Sequence, residues 1–541
     1  MKPFLTLHDP ETARGHYAAG RWAKDTFYTL LKEHAEQRPD VKALRDGHNW
    51  LDWRTLKARV DAMADDLSER GLGAGDRLSI WLSNRAEAIV AFLACSREGI
   101  ACNPSLHRSY TCAEVAELLK QLGAKALLTE VGWGVDAEPE RLEAMLATVP
   151  TLRNVYRPET MALHSTGVDR DIHANPDSVI YLAFTSGTTG TPKCVMHSAN
   201  TLLSNARDLV RDWDIGRDDV ILTLSPLSHH IAWVAVGQWL VSGAQLVTDD
   251  APRGTSRLDW ILDTGATYVM GVPTHAMDIL EEQRRRGLER LGKVRIFYMA
   301  GAPIPEVVAQ GFVAQGITPQ NVYGMTECSS HQYTHPTDSK DIWISTCGRG
   351  GPAYEVRIWD PTDPDRELPQ GQSGEIGGRG AAMMLGYFGN QPATEKSINR
   401  HGYLMSGDLG SLDADGNLRI EGRAKDLIIR GGHNIYPSRI EALALTNRGV
   451  TKAAAFPVPD DRLGEKVCLA IIGDLQANEM LEHLAEEGLS KLDMPEWFIA
   501  MDTLPLTASG KILKRELTEM VKRGDIAPKA VRYTAGKGAA Q

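Results

Sequence analysis

The sequence predicts an α/β protein with more than one domain, and three observations support this prediction. With 541 residues, the chain is too long for one ordinary hydrophobic core. Strand-like apolar runs alternate with helical patterns along most of the chain, which favours layers of parallel strands and helices. From Gly374 onwards the strand-like runs are shorter and are separated by tight turns. A last segment of domain size therefore begins near residues 423–432.

The predicted elements follow in order along the chain. Residues 26–72 have a helical pattern, "RLSIWL" is a strand, "EAIVAFLACSREGI" is a helix and "AKALLTE" is a strand. The runs "SVIYLAFT", "GAQLVT", "ATYVMGVP", "VRIFYMAG" and "TPQNVYG" continue the series of strands. The polar segments "TSGTTG", "GVPTH", "AGAPIP" and "YGMTE" each follow a strand-like run. Because ligands of parallel sheets bind at the carboxyl ends of strands, we expect these segments to converge on one crevice.

One stretch without charged residues, 221–247, is long enough to span a bilayer. Pro226, two adjacent histidines and two glutamines interrupt it. A strand, a loop and a buried helix explain it better, so we predict no membrane span.

The composition is that of a soluble globular protein. Hydrophobic residues make up 43% of the chain, charged residues 24%, and the formal net charge is -11. These values argue against disorder and against a nucleic-acid partner. The start of the chain has no apolar region typical of a signal peptide. The seven cysteines form no C-x-x-C pair and suit core positions in a reducing cytosol. We therefore expect a cytoplasmic protein, either a monomer or a homodimer.

The stretch "TSGTTGTPK" is the first candidate ligand site. Gly187 and Gly190 allow the backbone to approach a ligand closely. The four hydroxyl residues between Thr185 and Thr189 can donate to phosphate oxygens together with backbone N–H groups, and Lys193 adds a positive charge. The spacing is not that of a Walker A loop. Taken alone, the stretch is equally well explained as a polar turn between a strand and a helix.

Five motifs in a fixed order settle that choice. "TSGTTGTPK", "YGMTE", "GDLG", "GRAKDLIIRGGHNIYP" and "PLTASGKI" together resemble the adenylate-forming superfamily of acyl-CoA synthetases, luciferases and peptide-synthetase adenylation domains. The resemblance covers nearly the whole chain. It implies a large N-terminal domain of several layered α/β subdomains, residues 1–424, and a small mobile α+β domain, residues 425–541. It also implies the substrates and cofactors of that family: ATP, Mg²⁺, coenzyme A and a small carboxylic acid.

The same resemblance assigns roles to residues at the nucleotide. Glu327 would hold Mg²⁺, which prefers oxygen ligands, and Thr326 would contact a phosphate. Asp408 would bind the ribose hydroxyls, Arg423 would contact the ribose or a phosphate, and Tyr323 would stack on adenine. Simpler interpretations are a solvated Glu327 and a turn at Asp408. The remaining nucleotide positions are the phosphate loop (Thr185, Ser186, Gly187, Thr188, Thr189, Gly190 and Lys193), the adenine side (Gly301, Ala302 and Pro303), and Gly324 and Met325 of "YGMTE".

Four further positions take roles from the resemblance. Lys511 would contact the carboxylate and the α-phosphate during adenylation, and His229, or the adjacent His230, would gate the acyl site. Lys425 would be the hinge between the domains, and Gly432 would line the channel for the pantetheine of coenzyme A. The simpler interpretations are solvated charges for the lysines, a core histidine and a turn glycine. Lys514 and Arg515, which follow Lys511, are expected on the polar face of a helix.

The function predicted from the resemblance is an acid–CoA ligase, and the acid is less well determined. Ile231, Trp233, Gly301 and Met325 would line an acyl pocket that is mostly apolar. Such a pocket disfavours a dicarboxylate or an amino acid, because an unpaired buried charge is costly. The segments "NPSLHRSYT" and "RGGHNIYPSRIE" resemble cyclohexanecarboxylate–CoA ligases, and Trp233 would shorten the pocket. Medium-chain and aromatic acids, a carrier protein in place of coenzyme A, and an inactive binding protein are the alternatives.

Overall fold

The structure is a computed structural model that describes residues 3–162, 171–185, 192–302, 304–506 and 512–533. The predictions for Ser186, Gly187, Thr188, Thr189, Gly190, Pro303 and Lys511 lie outside the described residues.

The helices are numbered in chain order. Several are delimited by residues that favour helix ends: Thr111 and Ser198 cap the N-termini of α5 and α7 with their hydroxyls, and glycines in the left-handed region end α4, α5, α8 and α9. The α-helices are α1 (Pro10–Ala18), α2 (Phe27–Gln37), α3 (Trp53–Glu69), α4 (Ala86–Glu98), α5 (Cys112–Leu122), α6 (Pro139–Ala147), α7 (Ala199–Asp212), α8 (His230–Ser242), α9 (Arg257–Thr264), α10 (Pro273–Arg285), α11 (Glu306–Val313), α12 (Lys340–Ser345), α13 (Gln391–Lys396), α14 (Pro437–Ala444), α15 (Ala477–Glu486) and α16 (Lys514–Arg523).

The strands form four sheets. They are β1 (Lys42–Arg45), β2 (Trp50–Asp52), β3 (Arg77–Trp81), β4 (Ala101–Asn103), β5 (Ala126–Thr129), β6 (Asn154–Tyr156), β7 (Val179–Thr185), β8 (Lys193–Ser198), β9 (Val220–Thr223), β10 (Gln245–Thr248), β11 (Tyr268–Gly271), β12 (Ile296–Met299), β13 (Thr318–Met325), β14 (Ser329–Tyr333), β15 (Tyr354–Asp360), β16 (Asp363–Glu367), β17 (Gly374–Gly380), β18 (Leu404–Leu412), β19 (Leu418–Arg423), β20 (Ile428–Arg430), β21 (His433–Ile435), β22 (Val450–Asp460), β23 (Gly464–Gly473), β24 (Trp497–Ala500) and β25 (Lys529–Ala530).

Two large sheets carry the first part of the chain. One has the order β14-β13-β12-β11-β9-β10-β1-β2 and is parallel from β13 to β1, with an antiparallel strand at each edge. The other has the order β6-β5-β3-β4-β7-β8 and is parallel except for the hairpin of β7 and β8. Both sheets contribute to one core with α2, α3, α4, α7 and α8, which includes the buried residues Leu31, Trp53, Phe92 and Trp239.

A third sheet, β16-β15-β17-β18-β19, is antiparallel. It places Asp408 on β18 opposite Arg423 at the end of β19. A 3₁₀ turn, Ala424–Asp426, follows directly. The third sheet thus brings the chain to the point where the fourth begins.

The fourth sheet and α14, α15 and α16 form the last part of the chain. Its strand order is β21-β20-β23-β24-β25, and β22 pairs with β23. Its cores are separate from those of the large sheets and include Ile440, Leu469 and Leu484. The mixed α/β class, with layered sheets and a small C-terminal unit, is confirmed.

The charge-free stretch 221–247 consists of β9, a loop, α8 and β10, as the sequence predicts. Within the described part of the chain, every helix is too short or too polar to cross a bilayer. All seven cysteines are buried and free, which agrees with their prediction as core residues.

Candidate active site

The four polar segments at strand ends belong to two sheets, not to one. β11, β12 and β13 lie side by side in the eight-stranded sheet, whereas β7, which leads into "TSGTTG", lies in the six-stranded sheet. The convergence of the four segments on one crevice stays a prediction. One contact joins the two sheets near it: His197 Nε2 on β8 lies 2.7 Å from the carbonyl oxygen of Thr326, which follows β13.

The turn between β13 and β14 carries Thr326 and Glu327 and is held by the protein on several sides. The Cys328 N–H donates to the Met325 carbonyl at 3.1 Å, which closes the turn. The Met384 N–H donates to the Glu327 carbonyl at 2.7 Å. Gly324 allows this arrangement, because a Cβ at that position would lie 1.9 Å from the Ser329 carbonyl oxygen.

Glu327 is buried, contrary to its simpler interpretation as a solvated residue. It is 6% exposed, and the Tyr387 hydroxyl donates to its Oε1 at 3.0 Å. Burial raises the pKa of the Glu327 carboxyl, while the charge of Lys193 acts in the opposite direction. The Lys193 Nζ lies 4.7 Å from the centre of the Tyr387 ring. The carboxylate is thus desolvated without a direct ion pair among the described residues.

A carboxylate in that position fits a magnesium ion held together with phosphates. Mg²⁺ in nucleotide sites is bound by one or two carboxylates plus phosphate oxygens, not by a cage of protein ligands. The described ranges contain no group of three or more metal-ligating side chains. Glu327 would supply the protein ligand, and the buried charge would then be balanced by the cation.

Tyr323, Asp408 and Arg423 form a second cluster. The Tyr323 hydroxyl donates to Asp408 Oδ2 at 2.9 Å, and Arg423 Nε lies 3.1 Å from Asp408 Oδ1. Burial, together with the charge of Asp408, raises the pKa of the Tyr323 hydroxyl well above its usual value. The structure therefore brings together the three residues that the resemblance assigns to the adenosine, and their contacts with a nucleotide stay a prediction.

His229 is the N-cap residue of α8, and its imidazole lies beside that of His107. Its ring lies 4.4 Å from the ring of His107, and the Ser228 hydroxyl bridges the two, at 3.1 Å from His107 Nδ1 and 3.2 Å from His229 Nδ1. Burial lowers the pKa of His107 to about 4, so that ring is neutral at physiological pH. The gating role of His229 stays a prediction, and His107 is a neighbour that sequence reasoning missed.

His230, the alternative to His229 for the gating role, contacts hydroxyl groups on β7 and β14. Its Nδ1 lies 3.2 Å from the Tyr181 hydroxyl and its Nε2 lies 2.9 Å from the Ser329 hydroxyl. Burial of the imidazole lowers its pKa to about 3. The only sequence signal was its position beside His229, since its partners lie 49 and 99 residues away along the chain.

Trp233 lies in the core, which differs from its expected place. It is 2% exposed, its Nε1–H donates to the Leu227 carbonyl at 2.6 Å, and its ring lies 4.4 Å from that of Phe92 on α4. Replacing it with alanine would therefore leave a core cavity in addition to any change in the pocket. Its role as a wall of the acyl pocket stays a prediction, whereas Ile231 is only partly buried.

The predicted glycines have the backbone conformations that favour glycine. Gly301 has φ +87° after β12, and Ala302 next to it is exposed. Gly432 has φ +88° and, with Gly431, forms the turn between β20 and β21. These conformations explain the glycines structurally, so the ligand roles of Gly301 and Gly432 stay predictions.

The last part of the chain holds one contact that the sequence did not reveal. Lys514, expected on the polar face of a helix, forms an ion pair of 2.7 Å with Glu441 on α14. Glu441 is largely buried, and burial raises its pKa while Lys514 acts in the opposite direction. Lys514 thus ties the start of α16 to α14, and Arg515 beside it is exposed as expected.

Comparisons with known proteins agree with this geometry. A family model described as AMP-binding enzyme matches residues 31–388, and one described as AMP-binding enzyme C-terminal domain matches residues 439–511. A medium-chain fatty-acid–CoA ligase of Escherichia coli (strain K12) is 27% identical over 542 residues, which cover 97% of this chain and 95% of that protein. A salicylyl-CoA synthase / salicylate adenylyltransferase of Streptomyces sp is 29% identical, with 95% and 96% covered.

The fold matches solved structures of similar proteins. The crystal structure of ATP-bound MatB from Rhodopseudomonas palustris aligns with a TM-score of 0.80 at 27% identity, covering 92% of this chain and 99% of that chain. The first family model alone spans more than half of the sequence. The chain therefore belongs to the AMP-binding enzyme family, the adenylate-forming superfamily that includes the acyl-CoA synthetases.

Proposed function

We propose that this chain is an ATP-dependent acid–CoA ligase whose preferred acid is a compact, apolar monocarboxylate similar in size to cyclohexanecarboxylate. The reaction has two halves. The carboxylate first attacks the α-phosphate of ATP, which forms an acyl adenylate and releases pyrophosphate. The thiol of coenzyme A then attacks the acyl carbonyl, which forms the thioester and releases AMP.

One observation supports the first half-reaction: the buried Glu327 carboxylate lies beside the hairpin of β7 and β8. The Lys193 Nζ at the start of β8 lies 4.7 Å from the centre of the Tyr387 ring, and Glu327 after β13 accepts a hydrogen bond from the Tyr387 hydroxyl. A cation and a carboxylate that share this tyrosine suit a triphosphate with its metal, since the lysine attracts phosphate oxygens and the carboxylate attracts the ion. Magnesium, when bound, would neutralise charge on the phosphates that leave.

Other residues would bind the nucleoside and complete the chemistry. Asp408 would accept hydrogen bonds from the ribose hydroxyls, and Tyr323 would present its ring to adenine. Lys511 would stabilise the charge that develops at the α-phosphate and reduce repulsion between the two reacting anions. Gly432 would leave room for the pantetheine, since a side chain there would narrow the path of the thiol.

The choice of a monocarboxylate rests on the start of α8. Ile231 on α8 and Met325 at the end of β13 are partly buried apolar residues, and Met325 pairs with Ser329, whose hydroxyl contacts His230. His230 is neutral at physiological pH, and both its nitrogens already have hydroxyl partners. It therefore offers no positive charge to a second carboxylate, and burying such a group unpaired would be costly. Medium-chain and aromatic acids remain alternatives, because relatives carry those names.

A panel of carboxylic acids tests the proposal. AMP release would be measured with ATP and coenzyme A for cyclohexanecarboxylate, benzoate, salicylate, hexanoate, octanoate, palmitate and a dicarboxylate. We expect the highest kcat/KM for the cyclic or similarly compact acids, with about 1–3 kcal/mol of discrimination per misplaced methylene. The highest value for palmitate or for the dicarboxylate would contradict the choice of acid. Adenylate formation without thioester would favour a carrier protein as the acceptor.

A further inference from the structure

His197 lies next to the proposed nucleotide site but was assigned no role by sequence reasoning. It is on β8, the strand that follows the phosphate loop, and it is 0% exposed. Its Nε2 lies 2.7 Å from the Thr326 carbonyl oxygen, and its Nδ1 lies 3.0 Å from the Thr201 hydroxyl at the start of α7. The imidazole of His197 on β8 therefore contacts two other elements, α7 and the turn that carries Thr326.

The partners define which nitrogen carries the proton. A carbonyl oxygen only accepts hydrogen bonds, so Nε2 of His197 must donate to Thr326. Burial lowers the pKa of His197 to about 4, so the ring is neutral at pH 7 and Nδ1 is an acceptor. The Thr201 hydroxyl beside it then donates to Nδ1, while its oxygen accepts the Ser198 N–H at 3.0 Å. Both ring nitrogens are satisfied in only this tautomer.

The contact orients the turn between β13 and β14. The Thr326 carbonyl receives the His197 N–H, and the next carbonyl, that of Glu327, receives the Met384 N–H. Fixing two successive carbonyls fixes the peptide planes on both sides of the Glu327 Cα, and with them the direction in which the Glu327 side chain leaves the backbone. An apolar residue of similar size at 197 would fill the space but leave the Thr326 carbonyl without this donor.

We propose that His197 is a positioning residue for ATP: its Nε2–H sets the Thr326–Glu327 turn relative to β8, the strand that begins at Lys193. The proposal rests on the proposed function, since it assigns the nucleotide phosphates and the metal to this turn. It makes His197 specific to the adenylation half of the reaction. Thioester formation from a ready-made acyl adenylate needs neither the β- and γ-phosphates nor the metal contact.

Three substitutions separate a hydrogen-bonding role from a space-filling one. His197→Gln keeps an N–H near the position of Nε2, whereas His197→Asn is too short to reach Thr326, and His197→Leu has no donor. We expect His197→Asn and His197→Leu to lower kcat/KM for Mg·ATP in acid-dependent ATP–pyrophosphate exchange at least tenfold. The tenfold figure corresponds to the loss of one hydrogen bond of about 1.4 kcal/mol. His197→Gln should recover most of this loss. Thioester formation from supplied acyl adenylate should stay within about twofold of the wild-type rate in all three variants.

His34 gives a matched control. It is a buried histidine on α2, and its Nε2 lies 2.7 Å from the carbonyl oxygen of Leu240 on α8. Neither residue belongs to β8 or to the turn that carries Thr326. His34→Leu should lower the unfolding temperature as His197→Leu does, but leave the KM for ATP unchanged. Equal loss in both half-reactions for His197→Leu, or equal loss in the leucine and glutamine variants, would overturn the proposal, as would an unchanged leucine variant.

Direct binding keeps this test independent of the acid. Calorimetric titration of the wild type and the variants with Mg·ATP needs no turnover. We expect Kd to rise at least tenfold for His197→Leu and to stay near the wild-type value for His34→Leu. If the wild type binds Mg·ATP but no acid is activated, the proposed function fails while His197 is still tested. If Kd is the same for both leucine variants, the inference about His197 fails.

Discussion

At the scale of single residues, the site depends on buried polar groups whose state is set by desolvation. Burial raises the pKa of Glu327 and lowers that of His230 to about 3. Both effects follow from the cost of a charge in a medium of low polarity. A neutral histidine suits a fixed hydrogen-bond network, whereas a buried carboxylate needs a compensating cation. Glu327 is therefore the residue whose charge matters most directly for the proposed function.

Glu327→Gln tests that dependence because it keeps the size and removes the charge. We expect the apparent KM for Mg²⁺ to rise and the adenylation rate to fall on the order of 10²-fold or more, since a preorganised charged group in a desolvated site is lost. Excess Mg²⁺ should restore the rate only in part. Tyr387→Phe is the control: it removes the hydrogen bond to Glu327 but keeps the carboxylate, so its effect should be smaller. Wild-type rates for Glu327→Gln at limiting Mg²⁺ would show that Glu327 is no metal ligand.

At the scale of elements, the hairpin of β13 and β14 determines where Thr326 and Glu327 point. Gly324 on β13 faces the Ser329 carbonyl so closely that no Cβ fits. Ser329 itself has φ +55°, an uncommon conformation for a residue other than glycine. The two strands of the hairpin thus approach each other closely beside Thr326 and Glu327.

Gly324→Ala should displace this hairpin. The backbone must move to relieve a contact of 1.9 Å, and a shift of about 1 Å at reacting groups costs on the order of 10² in rate. We expect that loss in ATP–pyrophosphate exchange, together with a lower unfolding temperature. Gly216→Ala serves as the control, because a Cβ there meets nothing within 4 Å and φ is not positive. An active Gly324→Ala enzyme would mean that the turn tolerates displacement.

The sequence predicts individual strands and turns better than it predicts which residues of different elements contact each other. The strand ending at Met325 is visible as an apolar run, and the glycines at 301 and 432 stand where the backbone requires them. The contact of His197 with Thr326 is not visible, because the two lie 129 residues apart, His197 on β8 and Thr326 in the turn that follows β13 of another sheet. Likewise, Lys514 has the pattern of a helix surface, and only the fold brings the buried Glu441 to it.

At the scale of the whole molecule, buried histidines make stability sensitive to acid. Burial lowers the pKa values of His107 and His197 to about 4, and of His230, His275 and His331 to about 3. The unfolded chain binds protons at these residues near pH 6.5. Between pH 6.5 and 4 it therefore binds more protons than the folded chain, and the free energy of unfolding falls as the pH falls. Buried carboxyls with raised pKa values, such as Glu327, act in the opposite direction.

Unfolding temperatures measured from pH 7.5 to 4.5 test this balance. We expect a steady decrease below about pH 6.5. His275→Gln removes one of the titrating groups and should make the decrease shallower, because His275 has a lowered pKa on α10. A temperature that stays constant over this range, or an equal slope in the variant, would show that the histidines do not control acid stability.

The largest-scale prediction concerns movement between the two halves of the reaction. Lys425 lies in the 3₁₀ turn between β19 of the third sheet and β20 of the fourth. Lys511 and Gly432 are both assigned to the last domain, yet the first would serve adenylation and the second would line the passage of the thiol. One rigid domain presents both only by turning, and a short connecting turn absorbs such changes in backbone dihedral angles.

Lys425→Pro should therefore separate the two half-reactions. Proline fixes φ, removes the N–H and restricts the preceding residue, so the domain should be held nearer one orientation and one half-reaction should slow more than the other. Pyrophosphate release from acid and ATP would be compared with thioester formation from supplied acyl adenylate on the same preparation. Lys511→Ala gives the reference for a defect confined to adenylation, and Lys425→Ala removes the charge without restricting the backbone. Equal slowing of both halves by Lys425→Pro, with Lys425→Ala like the wild type, would mean that the backbone at 425 supports the fold but is not the hinge.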